Sequence, residues 1–346
     1  MKTGRESRYA PQRKRSGKVD TLCQEKKGEE KMKKQILIVG SLNMDMVIEM
    51  RQMPLVGETV LGKSLSYIPG GKGANQAFAA GKLGGNAVML GCVGTDEMGK
   101  KLTEKLAESG TEVSHVAAVS GVPTGTAVIY VNESGNNSIV VVAGANSACD
   151  VEFLKANEEL LRASDYVMFQ MEIPFEAVFY GIRKAKEMGK TVILNPAPAP
   201  DPKEIPDDIW KCIDFLTPNE TETAKLSGTN DTSEEGIRRG AGILREKGVK
   251  NVLITMGEQG AFFTDGITET VYPTRKADAV DTTAAGDCFN GAFVTALSKG
   301  MDIPAAVKFA NIAASLAVER KGAQSSIPGR EETEKIYMHN LSKSGN

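Results

Sequence analysis

The sequence predicts an α/β fold in which helices cover both faces of a doubly wound, mostly parallel central sheet, with a small β-sheet projecting from it as a lid. Between residues 36 and 255, short apolar runs typical of buried parallel strands alternate with amphipathic helical patterns. In two places the alternation breaks, because two β patterns follow each other with no helical pattern between them. The alternation predicts the layered sheet, and the two interruptions predict the lid.

The central strands are predicted from continuous apolar runs. Residues 36–39 form the first of them, and Gly40 ends it. The later runs cover residues 87–93, 166–169, 191–194, 213–216 and 251–255. Helical periodicity predicts helices over residues 74–83, 99–109, 151–162, 175–188, 234–247 and 288–299.

The lid is predicted from two pairs of β patterns. The first pair covers residues 46–50 and 59–68; the second covers residues 126–132 and 137–142, on either side of a Glu-Ser-Gly-Asn turn signal. We therefore assign the lid to about residues 46–69 and 118–143. A projecting sheet of this kind commonly covers a site or pairs with a second copy.

The charge of the 346-residue chain is unevenly distributed. The formal net charge is −2, yet residues 1–35 hold twelve Lys and Arg against five Asp and Glu, so this segment carries +7 and the remainder −9. Because the segment also has few apolar residues, we expect residues 1–34 to be a basic, disordered extension. The alternative is that this basic segment is a tail that binds nucleic acid. The main folded domain is expected over residues 35–330, with a helix end and tail over residues 331–346.

Composition excludes several kinds of chemistry. The only histidines are His115 and His339, so a three-histidine zinc site is impossible. The near-neutral charge argues against a protein dedicated to nucleic acid or membrane surfaces, and no run approaches a membrane span. The five cysteines form no C-x-x-C pair, which is typical of a reduced, cytoplasmic chain. Cys288 begins an apolar helix with no histidine near it in sequence, so we expect it to pack rather than act as a nucleophile.

Residues 57–64 match the P-loop pattern G-x-x-x-x-G-K-[ST], but their context is wrong. A P-loop needs a helix that begins at its lysine, whereas residues 64–68 alternate polar and apolar and Pro69 follows. The match is interpreted as chance.

Polar residues and glycines follow the predicted strands at the edge where open α/β sheets bind ligands. Residues 70–77 place three glycines around Lys72 before a helix, so that the backbone can approach a ligand, and Asn75 can hydrogen-bond a hydroxyl. Asn43 and Asp45 suit the neighbouring hydroxyls of a polyol, although Asx residues are also common in turns. Residues 170–172 place polar side chains at the end of another predicted strand, with the same ambiguity. The Pro-rich residues 195–200 are expected to form a rigid loop at the end of a third strand.

Two further segments suit a nucleotide. Asn219 and Glu222, at i and i+3 of a helix start, can hold metal-bound water near phosphates. The alternative is that these first-turn residues only offset the helix dipole, as carboxylates there often do. Residues 255–260 carry glycines spaced for phosphates or ribose, or for a hairpin turn.

The most informative segment is residues 281–289, Asp-Thr-Thr-Ala-Ala-Gly-Asp-Cys-Phe. Ala284, Ala285 and Gly286 leave backbone N–H groups uncovered at a helix start, where they can stabilise charge on a transferring phosphoryl group. Asp287 can accept the proton of an attacking hydroxyl, although it would also serve as a plain capping residue.

Taken together, these motifs resemble the PfkB (ribokinase-like) family of carbohydrate kinases. Residues 281–287 are similar to its C-terminal signature and residues 70–77 to its N-terminal signature, and the resemblance runs from about residue 36 to residue 330. Within the family, residues 40–45, 70–76, 170–174 and 195–198 are most similar to the members that phosphorylate ribose.

The resemblance implies roles for the matched residues. The sugar-binding residues would be Asn43, Asp45, Gly71, Lys72, Asn75, Glu172 and Asp287. The base would be Asp287, with Ala284, Ala285 and Gly286 as the anion hole. The ATP-binding residues would be Asn219, Glu222, Thr255, Gly257, Glu258, Gly260, Gly286 and Asn311, with Glu222 also organising Mg²⁺. The residues matching the loops around an activating potassium ion would be Asp281, Thr283, Arg320, Gly322 and Ser326, with main-chain carbonyls as further ligands.

The implied activity is phosphorylation of D-ribose at its 5-hydroxyl by ATP, with Mg²⁺ and K⁺, in a cytoplasmic homodimer paired through the lid and without nucleic-acid or membrane partners. One alternative is the same chemistry on deoxyribose, fructose or adenosine. Another is a regulator that binds sugar or nucleotide without catalysis, against which Asp287 and the small residues before it argue.

Overall fold

The computed structural model describes residues 34–344 of the chain. The extension predicted for residues 1–34 therefore lies, except for Lys34, outside the described residues, as do the last two positions of the predicted tail.

The strands come in the chain order that follows. They are β1 (Gln35–Val39), β2 (Asn43–Met50), β3 (Gly62–Gly70), β4 (Asn86–Gly94), β5 (Val116–Val119), β6 (Gly125–Val131), β7 (Asn137–Val142), β8 (Tyr166–Phe169), β9 (Thr191–Leu194), β10 (Phe215–Leu216), β11 (Val252–Thr255), β12 (Ala261–Thr264) and β13 (Glu269–Tyr272). The α-helices are α1 (Lys72–Lys82), α2 (Glu97–Ala107), α3 (Val151–Ala156), α4 (Glu158–Ala163), α5 (Phe175–Glu187), α6 (Asp207–Trp210), α7 (Glu220–Ser227), α8 (Glu234–Glu246), α9 (Ala285–Ser298), α10 (Ile303–Ala317) and α11 (Arg330–Ser344).

The central sheet of the described residues has nine strands in the order β13-β12-β11-β10-β9-β8-β1-β4-β5. From β11 to β5 all neighbours are parallel, and β12 and β13 add an antiparallel edge. The strand β1 lies between β4 and β8, so the chain winds first to one side of β1 and then to the other. The predicted doubly wound fold is confirmed, and the switch in winding direction opens a ligand-binding crevice at the carboxyl ends of the strands.

A second sheet of four strands has the order β3-β2-β6-β7. It is formed by the two predicted pairs of β patterns, with β2 and β6 parallel and the outer pairs antiparallel. Residues 57–61 are loop, and β3 begins at Gly62, so a strand rather than a helix follows the P-loop-like motif. This agrees with chance as the origin of that match.

The core lies in two clusters, one on each side of the central sheet. Side chains of β1 alternate between them, with Ile36 and Ile38 in one cluster and Leu37 and Val39 in the other, all fully buried. A strand covered on both faces must be apolar throughout, which is why it reads as a continuous run. Among the described residues, no helix is long and apolar enough to cross a membrane.

Three local boundaries differ from the sequence prediction. The helix expected over residues 151–162 is two helices, because Asn157 leaves helical geometry and its Nδ2 donates to the Phe153 carbonyl instead. The strand expected from residue 213 is limited to Phe215–Leu216, since the Asp214 carboxylate accepts from the Val192 amide in place of a strand ladder bond. Residues 331–344 belong to one helix, α11, which begins at Arg330, rather than to a helix end followed by a tail.

Candidate active site

The candidate site lies at the carboxyl ends of the parallel strands, where the segments after β1, β8, β9 and β10 meet the first turns of α1 and α9. The two helices approach closely, because a Cβ on Gly291 of α9 would lie 2.6 Å from the Ala79 Cβ of α1. At the other end of α1, a Cβ on Gly73 would lie 2.6 Å from the Ser41 amide nitrogen. These glycines bring Asp287 and the start of α1 together over the sheet edge.

Asp287 is the buried carboxylate at the centre of the site. The sequence prediction started the helix at Cys288, whereas α9 begins at Ala285, so Asp287 belongs to its first turn rather than preceding it. Its side chain is 8% exposed and accepts hydrogen bonds from Asn75 Nδ2 and Gln76 Nε2, each at 3.0 Å. Burial raises the pKa of Asp287, while Lys72 and the two amide donors oppose that rise.

Glu172, which follows β8, is held by hydrogen bonds on one oxygen. Its Oε2 accepts from Ser41 Oγ at 2.5 Å and from the Lys72 amide at 3.0 Å. The side chain of Lys72 lies among carboxylates: burial alone would lower its pKa, but Asp287, Glu172, Glu222 and Asp45 together raise it. Lys72 is therefore a charged side chain among these carboxylates.

Asn43 and Asp45, on β2, complete the predicted sugar site. Asn146 Nδ2 donates to Asn43 Oδ1 at 2.7 Å and to the Leu42 carbonyl at 3.1 Å, so the amide oxygen of Asn43 is engaged and its NH₂ group is the end left for a ligand. Burial, with Glu172 and Asp287, raises the pKa of Asp45 to about 7. A Cβ on Gly70 would lie 2.4 Å from the Asp45 carboxylate, which explains a glycine there.

A polar cavity of about 190 Å³ opens beside Asp287. Its lining joins Lys72 to the predicted anion hole and to three predicted ATP-binding residues: Ala284, Ala285, Gly286, Asn219, Glu222 and Thr255. Ala284 is the N-cap of α9 in the left-handed region, at φ 58°, and makes no side-chain capping bond. Nothing lies within 4 Å of the position a Gly286 Cβ would occupy. The first turn of α9 thus faces the cavity without a side chain covering it.

Asn219 and Glu222 form a capping box at the start of α7. Asn219 Oδ1 accepts from the Glu222 amide at 2.8 Å, and Glu222 Oε2 accepts from the Asn219 amide at 2.9 Å. The capping role left open by the sequence is therefore real, but both residues also line the cavity. Burial raises the pKa of Glu222, while the Asn219 amide and Lys72 oppose the rise.

The remaining predicted ATP-binding residues do not line this cavity. Gly257 and Glu258 lie in the 3₁₀ turn Gly257–Gln259, and Gly260 joins that turn to β12, so the hairpin alternative also holds. A Cβ on Gly260 would lie 2.2 Å from the Tyr272 carbonyl. Asn311 Nδ2 donates to the same carbonyl at 2.8 Å, so Gly260 and Asn311 meet around the end of β13.

Metal ligands are few in the described part of the chain, which holds no group of three or more His, Cys, Asp or Glu suited to an ion. Mg²⁺ needs only one or two carboxylates beside phosphates, and Glu222, with one oxygen outside the capping box, fits that role. For a monovalent cation, Asp281 links two loops by accepting from the Thr283 and Gly322 amides at 2.9 and 2.8 Å. Gln324 Oε1, buried in the second loop, has no hydrogen-bond partner, and an oxygen of this kind fits a cation.

Other predicted cation-site side chains are engaged within the protein. Arg320 Nη2 pairs with Glu332 at 2.5 Å, and the buried Ser326 hydroxyl donates to the Ala323 carbonyl at 2.8 Å. Their main-chain carbonyls, rather than these side chains, are the groups that a cation would use.

Five residues that received no role in the sequence prediction hold the predicted site together. They are Ser41, Gln76, Asn146, Gln170 and Asn195. Gln76 carried a usable signal, because it is a polar residue among alanines on a helix expected to pack against the core. Gln170 and Asn195 lie in strand-end segments that the sequence singled out, but their hydrogen-bond partners, like those of Ser41 and Asn146, lie far away in sequence and leave no local signal.

The family model for pfkB family carbohydrate kinases matches residues 33–330. The chain belongs to the pfkB family of carbohydrate kinases. The predicted membership is therefore confirmed over the whole described sheet and lid.

Similar proteins share most of its length. Ribokinase from Haemophilus influenzae is 39% identical over 308 residues, which cover 89% of this chain and 100% of the relative. Deoxyribokinase from Salmonella typhi is 37% identical over 298 residues, which cover 86% of this chain and 96% of the relative. The solved structure of Arabidopsis thaliana ribokinase complexed with ribose and ATP is 34% identical, covers 88% of this chain and 99% of its own, and has a TM-score of 0.82.

Proposed function

We infer that this chain is an ATP-dependent ribokinase, which transfers the γ-phosphoryl group of ATP to the 5-hydroxyl of D-ribose. The observation that carries this conclusion is the position of Asp287, buried between the Asn43, Asp45 and Glu172 cluster and the polar cavity at the open first turn of α9. Relatives named ribokinase at 36–40% identity, over at least 86% of this chain, support the substrate.

In the proposed mechanism Asp287 is the general base. As the 5-hydroxyl oxygen attacks the γ-phosphorus, the bond to the β,γ-bridging oxygen breaks, the hydroxyl proton passes to Asp287, and ADP leaves. Asn75 and Gln76 donate to the two carboxylate oxygens, which favours the ionised form that can take a proton. The transfer needs positioning and charge stabilisation rather than a covalent nucleophile, in keeping with a chain that has two histidines.

Charge on the transferring group is stabilised by the first turn of α9 and by Lys72. The amides after Ala284 face the cavity without a capping side chain, and Lys72 lines the same space. Mg²⁺, which would neutralise phosphate charge when bound with ATP, would be held through Glu222. Asn219 and Thr255, which line the cavity, are proposed to contact the nucleotide there, and Gly257, Glu258, Gly260 and Asn311 are proposed to contact it outside the cavity.

Sugar recognition is proposed to rest on complementary hydrogen-bonding groups. Asn43 offers its NH₂ group, whereas Asp45 and the free oxygen of Glu172 accept. Neighbouring hydroxyls of a furanose can each find one of these partners. Gly71, at φ 89°, lets the backbone turn tightly beside them.

A second candidate substrate is 2-deoxyribose, because a deoxyribokinase is 37% identical to this chain. The discriminating experiment measures ADP release with ribose, 2-deoxyribose, fructose and adenosine under the same conditions. We expect the highest kcat/KM with ribose. A higher kcat/KM with 2-deoxyribose would transfer the assignment to that sugar, and a higher value with adenosine or fructose would overturn the ribose assignment. No turnover with any of the four would favour the alternative of a regulator that binds sugar or nucleotide without catalysis.

We also propose activation by K⁺ at the loops containing Asp281, Thr283 and Gly322, supported by the unpartnered Gln324 oxygen in the second loop. Replacing KCl by LiCl at constant ionic strength should lower kcat. An equal rate in both salts would remove the cation from the proposal.

Pairing of two copies through the lid is a further proposal. Leu65 and Tyr67 of β3, and Ile139 and Val140 of β7, are each more than half exposed although apolar, and they lie on one small sheet. Light scattering after size-exclusion chromatography should give a dimer for the wild type and a monomer for Val140→Lys. A wild-type monomer at micromolar concentration would contradict it.

A cytoplasmic location is proposed from the thiols, because Cys92, Cys149, Cys212 and Cys288 form no disulfide.

The basic extension predicted for residues 1–34 is proposed to be dispensable. Deleting residues 1–31 should leave activity and melting temperature unchanged, and a large loss of either would show that it belongs to the fold.

A further inference from the structure

Gln76 is a buried side-chain amide whose two ends are both fully used. Its Nε2 donates to Asp287 Oδ1 and to Asn195 Oδ1, each at 3.0 Å, and its Oε1 accepts from Gln170 Nε2 at 2.6 Å. Gln76 is 0% exposed and is not among the residues that line the polar cavity. Its contacts are therefore with the protein rather than with a substrate.

The direction of every hydrogen bond around Gln76 follows from Asp287 being an acceptor. A carboxylate has no proton to donate, so the NH₂ group of Gln76 must face it, and the amide oxygen then faces Gln170. The reversed amide would point an oxygen at Asp287 and an NH₂ group at that of Gln170. The hydrogen bonds of Asn195 have the same direction, because its Oδ1 accepts from Gln76 Nε2 and its Nδ2 donates to the Thr217 carbonyl at 2.7 Å.

The chain of hydrogen bonds returns to the first turn of α9. Thr217 Oγ1 donates to Asn290 Oδ1 at 2.6 Å, and Asn290 Nδ2 donates to the Gly286 carbonyl at 2.9 Å. The ring closes through two covalent links, one within Thr217 and one from Gly286 to Asp287, and it runs through α1, the ends of β9 and β10, and back to α9. Gln170 is attached to this ring through its bond to Gln76. We name the side chains of Gln76, Gln170, Asn195, Thr217 and Asn290 the amide relay.

We propose that Gln76 is a positioning residue for the phosphoryl transfer, which through the amide relay fixes the Asp287 carboxylate in the orientation and ionisation state of a base. The proposal rests on the proposed function, because it assumes that Asp287 takes the proton. Gln76 itself touches neither sugar nor nucleotide in this assignment. Its loss should therefore slow the chemical step without weakening ground-state binding.

The charges around Asp287 make this support necessary. Burial disfavours its ionised form, and the carboxylates of Glu172 on the loop after β8, Asp45 on β2 and Glu222 on α7 add repulsion. Lys72 on α1 is the cation that opposes them. Since the Gln76 donor also favours the ionised form, removing it should move the acidic limb of the kcat profile to higher pH.

The test substitutes Gln76→Met, which keeps the shape of the side chain and removes its donors and acceptor. The control is Thr295→Val, because Thr295 Oγ1 makes a buried bond from α9 to the Ala80 carbonyl of α1 at 3.3 Å, about two turns from Asp287. Both variants lose a polar contact between the same two helices. We expect Gln76→Met to lose at least tenfold in kcat, with KM for ribose and the calorimetric Kd for ATP within threefold, and Thr295→Val to stay within twofold of wild type.

A second variant, Gln76→Glu, keeps an oxygen for Gln170 and points a carboxylate at Asp287. It should lower kcat at neutral pH and shift the acidic limb upward, and it serves if the Met variant fails to fold. Wild-type kcat and an unshifted pH profile in a folded Gln76 variant would overturn the proposal, as would an equal kcat loss in Thr295→Val. Turnover retained by Asp287→Asn would instead overturn the proposed function, and the relay with it.

Discussion

Asp45→Asn is expected to stabilise the ligand-free protein at alkaline pH while it weakens ribose binding. Asp45 is placed among Glu172 and Asp287, and burial with these two carboxylates raises its pKa from the ordinary 3.8 to about 7, against the opposing effect of Lys72. A carboxylate held in such surroundings when ionised destabilises the folded state. An amide of the same shape removes that cost.

The magnitude follows from linkage between proton binding and folding. Below about pH 4 the side chain is protonated in both the folded and the unfolded state. From there to about pH 7 the folded protein binds more protons than the unfolded chain, so the free energy of unfolding falls as pH rises. At about 1.4 kcal/mol for each pH unit, the loss that Asp45 causes above pH 7 is about 4 kcal/mol.

The assay is urea unfolding of wild type and variant at pH 5 and pH 8, with ribose KM measured at pH 8. The stability advantage of Asp45→Asn should grow by a few kcal/mol between the two pH values. Ribose KM should rise at least tenfold, since a charged acceptor is lost. Glu49→Gln, at the exposed end of the same strand, removes an equal charge as the control.

Three results would each contradict this prediction. A stability difference that is the same at pH 5 and pH 8 would mean that Asp45 is not a strained carboxylate. An unchanged ribose KM would mean that the side chain does not contact the sugar. Equal behaviour of Glu49→Gln would trace both effects to net charge.

Three further predictions follow from the same contacts. Asn146→Ala should raise ribose KM about tenfold, because Asn43 loses the partner that orients its side chain. The same change should lower the free energy of unfolding by about 2–4 kcal/mol, because the Leu42 backbone loses two hydrogen bonds. A normal KM would contradict this prediction. Cys288→Ala should retain turnover, and iodoacetamide should not inactivate the wild type, since burial and Asp287 raise the pKa of that thiol to about 12; inactivation traced to Cys288 would count against it. Glu222→Gln should raise the Mg²⁺ concentration needed for half-maximal rate in an ADP-release assay, whereas an unchanged requirement would release Glu222 from that role.

The layered fold could be predicted from the sequence because burial on both faces leaves a local trace. Every side chain of residues 36–39 must be apolar to fit between the two core clusters, and four consecutive apolar residues are visible without any knowledge of their partners. The boundaries that failed depend on single polar side chains, such as Asn157 and Asp214, which replace backbone hydrogen bonds.

The site was predictable where one short segment carries the chemistry. The small residues before Asp287 leave helix amides open, and that requirement is written in consecutive positions. The supporting shell was not predictable, because its pairs are distant in sequence: Gln76 and Asp287 are 211 residues apart, and Ser41 and Glu172 are 131 apart. Only the fold brings such residues within hydrogen-bonding distance.

The central claim is that Asp287 takes the proton of the ribose 5-hydroxyl during transfer from ATP. The most direct test is the single-turnover rate of ribose 5-phosphate formation at saturating ribose and MgATP, for the wild type and for Asp287→Asn. We predict a rate lower by about 10²-fold or more in the variant, the usual scale for a general base. A variant rate within a few-fold of wild type, with the same product, would contradict it.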